Sequence, residues 1–180
     1  MDIMVPMKPQ AKKRLSKKGF TIAEVLLAVA ILAFALCGIL ATYLACFNLS
    51  GISKNMNIAT SCAQGVIEQL RAKPFTQVTP GMVFLVNGVN YSSSLVSSNI
   101  YCWKFTVPTS SMPPDNKMAV YIDFSDGDLL KVTVSVCWKQ AGKIIGEDTD
   151  LNGILDPGED ANGNGLIDSP VELITLVSSR

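Results

Sequence analysis

The sequence predicts an α+β protein, one long N-terminal helix followed by an antiparallel sheet, on three observations. Residues 25–47 run without a charge, apolar residues then recur near a 3.6-residue period as far as Leu70, and beyond Pro74 short alternating apolar runs are separated by turn residues. Those features divide the chain into a basic leader (1–19), a long helix (20–73, apolar over 20–47 and amphipathic over 48–73) and a β-rich head (74–180) carrying an acidic insertion at 146–170.

The charge is strongly asymmetric. The chain is neutral overall, with 15 Lys/Arg and 15 Asp/Glu, yet residues 1–19 hold six basic residues against Asp2. The remaining nine basic and fourteen acidic residues leave the rest of the chain negative, so a nucleic-acid partner is not expected. There is no histidine, which removes the commonest general base and the commonest metal ligand. The five cysteines form no CxxC pair and no zinc-ligand spacing, and no nucleophile motif is present, so an enzyme is not expected.

The 23 uncharged residues from Val25 to Phe47 are enough to span a ~30 Å hydrocarbon core as a helix. The basic cluster before them places that end in the cytoplasm and the C-terminal part outside it. A secretory signal has the same polarity, but the run is longer than a usual signal core and no A-x-A-like site closes it. Glu24 is foreign to a plain anchor. A carboxylate at the edge of the apolar run costs roughly 2.5–3.5 kcal/mol on insertion scales unless it is paired, and no lysine follows within a helical turn.

The stretch Lys17-Lys18-Gly19-Phe20-Thr21-Ile22-Ala23-Glu24-Val25-Leu26-Leu27 resembles the leader junction of type IV prepilins and pseudopilins. The resemblance implies cleavage between Gly19 and Phe20 by a prepilin peptidase at the inner membrane and N-methylation of Phe20. It also implies that Glu24 pairs with the new terminal amine of a neighbouring subunit during filament assembly. It covers roughly residues 8–47, and the absence of a mid-anchor proline tilts it toward a minor pilin or a type II secretion pseudopilin rather than a principal subunit. The expected fold is then the pilin fold, a long transmembrane helix packed on an antiparallel sheet.

Past the anchor, Ile58, Ala59, Cys62, Ala63, Val66, Ile67 and Leu70 form one apolar face, and Lys73-Pro74 ends the helix. A helix from Phe20 to Lys73 would be about 80 Å long at 1.5 Å per residue, with Gly51 marking a bend. Strands are expected at 82–86 and 89–92 around the hairpin signal Asn87-Gly88, and at 99–107, ended by Pro108 and the loop SSMPPDN. Others are expected at 117–124, 129–138 and 171–177. The stretches LLKVTVSVCWKQAG and PVELITLVSSR, with the helical ATSCAQGVIEQLRAKPF, are similar to V-type minor pilins and I-type secretion pseudopilins.

Between the last two strands, residues 147–172 contain eight acids and no base. Asp148–Glu159 matches the template of a Ca²⁺ loop in order: Asp148, Asp150 and Asn152 at positions 1, 3 and 5, Gly153 at the turn, the Ile154 carbonyl at 7, Asp156 at 9 and Glu159 at 12. A second copy runs through Asp160, Asn162, Asn164, Gly165, the Leu166 carbonyl and Asp168, but its twelfth position is Val171 and Glu172 comes one residue late. The expected role is a structural calcium site outside the cytoplasm, since without a cation the carboxylates repel one another. Cys37, Cys46 and Cys62 fall on apolar surfaces, whereas Cys102 and Cys137, each preceding a tryptophan on a strand, are candidates for a disulfide. Two other readings remain open at this point: a calcium-dependent adhesive module on a pilin anchor, and an anchored periplasmic domain that never assembles.

Overall fold

The computed structural model describes residues 19–86, 88–107 and 112–179. The leader up to Lys18, Asn87 of the hairpin signal, and the Pro108 stop with the start of the SSMPPDN loop lie outside them. Helix α1 is Ile22–Arg71, and strands β1 (Phe84–Val86), β2 (Val89–Tyr91), β3 (Ser93–Ser97), β4 (Ile100–Phe105), β5 (Asn116–Asp123), β6 (Leu129–Gln140), β7 (Lys143–Ile145) and β8 (Glu172–Ser178) follow. All pairings are antiparallel, so the fold class is α+β. The chain divides into two compact units, Met1–Leu44 and Ala45–Arg180.

In the first unit α1 starts where its sequence tells it to. Thr21 precedes the first helical residue, its hydroxyl accepts from the Glu24 amide at 3.2 Å, and the Glu24 carboxylate reaches back to the Thr21 amide at 3.4 Å. This is a capping box, with two otherwise orphaned donors satisfied reciprocally. Every described side chain as far as Leu44 is exposed, and α1 is long and apolar enough to cross a membrane.

In the second unit Ala59, Ala63, Val66, Ile67 and Leu70 bury one face of α1, and Ile58 and Cys62 are half-buried beside them. Gly51 lies inside this helix, which runs through it unbroken. An added Cβ there would lie 2.6 Å from Gln140 Nε2, so the glycine makes room for that side chain. One turn on, buried Asn55 donates to Gln140 Oε1 at 2.9 Å, and Trp138 Nε1 donates to the same oxygen at 3.2 Å.

The six-stranded sheet has the order β3-β4-β5-β6-β7, with β8 also paired to β6. Leu130, Val132, Val134, Val136 and Trp138 alternate onto the core shared with Phe84, Trp103 and Phe105. Two strands arise where the sequence carries no clear signal. β3 is serine-rich, and β7 follows a two-residue turn in which Ala141 and Gly142 both take positive φ, 49° and 79°. That is the primed hairpin geometry, hidden because Ala-Gly is not one of its usual dipeptides.

The residues between Cys137 and its partners settle the disulfide expectation. Cys102 and Cys137 are separate free thiols. β5 lies between their strands: Cys102 faces Tyr121, Tyr121 faces Thr133, and Cys137 lies four residues further along β6. Two strand spacings and that offset put the Cα atoms more than ~10 Å apart, beyond the ~7 Å limit for a bridge. The Cys-Trp dipeptides reflect alternation instead. Each tryptophan points to the helix-covered core and each cysteine to a smaller cluster on the opposite face, with Ala119, Tyr121 and Ile167.

Candidate metal centre

Between β7 and β8 the chain crosses that opposite face without regular secondary structure. Its backbone is wound around carboxylates. Asp148, fully buried, accepts from the Asn152 amide at 3.1 Å and the Gly153 amide at 2.8 Å. Asp150 accepts from the Asn152 amide at 3.0 Å, and Asn152 Oδ1 from the Ile154 amide. The Asn152 side-chain Nδ2 donates to Asp150 Oδ2 at 2.7 Å and to Asp156 Oδ2 at 2.8 Å. Glu159 closes the turn, one oxygen accepting from the Thr149 amide at 2.7 Å and from its hydroxyl, the other from the Asp156 amide at 3.0 Å.

Carboxylate oxygens of Asp148, Asp150 and Glu159 lie within 4.8 Å of one another, close enough to share one cation. Burial raises the Asp148 carboxyl above its usual range, only partly opposed by the Gly153 amide, and Asp150 raises it further. Glu159 falls below its range: burial raises it, but the Thr149 hydroxyl and the Asp156 and Thr149 amides outweigh that. One site thus holds a carboxylate that burial disfavours as an anion beside one that is well solvated by donors. An all-oxygen set of this kind suits a hard cation. Asp156 joins through Asn152, while Ile154 is placed by its amide alone.

The second twelve residues repeat the first, atom for atom in several places. Asp160 accepts from the Asn164 amide at 3.1 Å and the Gly165 amide at 2.9 Å, as Asp148 does from Asn152 and Gly153. Asn162 Oδ1 accepts from the Asn164 amide at 3.0 Å, and Asn164 Oδ1 from the Leu166 amide at 2.7 Å. The side-chain amides of Asn162 and Asn164 converge on Asp168. The fourth and sixth residues of both turns have positive φ: Leu151 at 58° and Gly153 at 77°, then Gly163 at 74° and Gly165 at 75°.

What the sequence does not disclose is the closing residue of the second turn. Glu147 Oε1 accepts from the Ala161 amide at 3.2 Å and Oε2 from the Asp168 amide at 3.1 Å. These are the second and ninth positions, which Glu159 holds in the first turn. The closing glutamates are therefore exchanged: Glu147-Asp148 and Glu159-Asp160 are two equivalent dipeptides, each closing one turn and opening the other. Glu172 is half-buried and raised by burial and by the neighbouring Asp168, so it lies near the second turn without taking that place. The signal in the sequence is the repeat of the dipeptide Glu-Asp at twelve-residue spacing, invisible to a template that looks only forward along the chain.

At the other end of the chain, Gly19 and Phe20 are exposed and non-helical, immediately before the capped start of α1. The chain matches no family model, no curated protein and no solved structure.

Proposed function

We propose that this chain is a structural subunit of a type IV pilin-like filament, a minor pilin or a type II secretion pseudopilin, stiffened by calcium at its acidic turns. The observation that carries the reading is the junction Lys17–Leu27, with a glycine-phenylalanine bond and a glutamate five residues beyond it at the start of an apolar helix. The exposed, non-helical Gly19-Phe20 bond is accessible to a peptidase, which supports processing there. In this reading the partners are the prepilin peptidase, neighbouring subunits and the inner membrane, and the sheet unit lies outside the cytoplasm. No catalytic role is proposed.

Three converging carboxylates with a buried aspartate support a calcium ion in the first turn, and the repeated geometry supports one in the second. The cation would supply positive charge that offsets carboxylate repulsion, and the chain's part is to hold the oxygens in place. Ligand sets of this kind outside the cytoplasm work at millimolar calcium.

One observation favours a second reading, an anchored domain that does not assemble. The Thr21–Glu24 capping box gives Glu24 a local role that needs no neighbour. Glutamine preserves a capping box and removes the charge, so Glu24→Gln separates the two readings. Incorporation of Glu24→Gln into sheared filaments is expected to fall to the level of Glu24→Ala. Wild-type incorporation would assign Glu24 to capping. Intact-mass and N-terminal analysis of protein from cells with a prepilin peptidase should find a methylated Phe20 at the terminus; an uncut leader would overturn the filament reading.

A further inference from the structure

We infer that residues 147–168 form a cation-held lid on the face of the sheet opposite α1, shut when the acidic turns are loaded and lifted when they are emptied, so that Cys102 and Cys137 become accessible to solvent. The lid deepens the calcium reading above, which supplies its trigger; the packing of the segment supplies its hinge and its seal.

The hinge is narrow. The two ends of the segment meet through a hydrogen bond from the Glu147 amide to the Asp168 carbonyl, 2.9 Å. Gly146, with φ 114°, is pressed against β6 so closely that a Cβ there would lie 2.3 Å from Cys137 Sγ. On the far side, Ser169 donates to the Val136 carbonyl and the Val136 amide donates to the Val171 carbonyl at 3.1 Å. Beyond these points the chain is committed to β7 and β8; between them it is free of the sheet ladder.

The seal is apolar but thin. Leu151, Leu155 and Leu166 are half-buried, Ile167 is buried, and together they cover Cys102, Ala119, Tyr121 and Cys137. The Ile167 amide donates to the Tyr121 hydroxyl at 3.1 Å. Ser135, on the same face of β6 as Cys137, has the one buried side-chain oxygen among the described residues that has no partner. A buried hydroxyl without a partner is a cost of closure that water would relieve on opening.

The upper side works against the seal. Its amides are satisfied mainly by carboxylates: Asn152 and Gly153 by Asp148, Thr149 and Asp156 by Glu159, Ala161 and Asp168 by Glu147. The segment keeps its shape only while those carboxylates stay together, and it contains no base to hold them. Removing a shared cation therefore loosens the whole segment at once, since each Glu-Asp dipeptide serves both turns. The thiols beneath, each 1% exposed, act as reporters of that opening.

The test uses the full chain in detergent, alkylated with iodoacetamide in millimolar Ca²⁺ or in chelator, with each cysteine followed by mass mapping. Calcium uptake is measured by calorimetry on the same preparation. Labelling of Cys102 and Cys137 is expected to be at least about tenfold faster in chelator, as for a local opening distinct from global unfolding, with Cys62 on α1 unchanged. Calcium uptake with unaltered labelling would overturn the lid and leave the calcium reading standing. No uptake would overturn the calcium reading and the cation trigger together. Leu155→Ser, which removes an apolar contact and no carboxylate, should accelerate labelling even with calcium bound; protection equal to wild type would show that the underside does not seal the face.

Discussion

The two acidic turns share positive φ at their fourth and sixth residues and most of their amide-to-oxygen bonds, yet they differ in what they are made of. The first has aspartate at positions 1, 3 and 9, a buried Asp148 and a leucine in a left-handed conformation; the second has asparagine at position 3, a half-buried Asp160 and glycine in place of that leucine. The opening carboxylate of the first turn is thus sunk against the sheet face, while the second turn exposes residues 161–165 and reaches that face through Leu166 and Ile167. The difference shows that a repeated ligand pattern is read by chemistry, while the cost and rigidity of each copy are set by what lies underneath it.

The largest expected effect breaks that comparison at its buried end. Asp148→Ala removes a carboxylate from the first site and leaves the buried Gly153 amide without its acceptor, while the Asn152 amide keeps Asp150. Orphaned buried donors cost about 1–3 kcal/mol, so stability should fall in chelator as well as in calcium. In calcium a further stabilisation is lost, about 2.7 kcal/mol at a hundredfold excess of cation over Kd, or roughly 8–14 °C in melting temperature for a unit of this size. Asp150→Ala, at an exposed position, should show the calcium-dependent loss alone. Thermal melts with and without chelator decide the matter; equal losses from Asp150→Ala in both conditions would remove the cation from the explanation.

A smaller effect sharpens the comparison by testing the exchange of closing residues. Calorimetry on the wild-type chain should give two calcium equivalents. Glu147→Gln and Glu159→Gln should each weaken binding by at least about tenfold at one turn, since each removes a charged carboxylate held by two backbone amides. Glu172→Gln should leave both equivalents in place. Loss of an equivalent in Glu172→Gln but not in Glu147→Gln would mean that the second turn is closed forward along the chain, as the linear template has it.

Much of this architecture was legible because periodicity and turn chemistry are local. The helical face from Ala59 to Leu70, the hairpin flanks at Phe84–Val86 and Val89–Tyr91, and the first turn's donors all follow from spacing within about a dozen residues. What was not legible depends on elements distant in sequence. β7 requires Ala141 to take an unfavourable φ that pairing with β6 imposes. Gly51 looks like a break until Gln140, on the far side of the chain, is seen beside it. Cys102 and Cys137 look like a bridge until β5 is placed between them. The closing role of Glu147 was missed for the same reason: its partners are 14 and 21 residues away, across a whole intervening turn.

The smallest expected effect separates backbone strain from packing in the two turns. Gly163 has φ 74° and open space where a Cβ would go, so Gly163→Ala meets no clash and costs only the left-handed conformation, about 1 kcal/mol. That cost falls on the shut segment alone. It should appear as a drop of roughly 3–5 °C in calcium and vanish in chelator, where the segment has already lifted. Leu151, at the equivalent position with φ 58°, bears the same strain but packs against the covered face. Leu151→Gly relieves about 1 kcal/mol of strain and gives up a comparable apolar contact, so no gain in stability is expected. A clear gain would show that the leucine's contact with the sheet contributes nothing, and that the first turn is held by its carboxylates as wholly as the second.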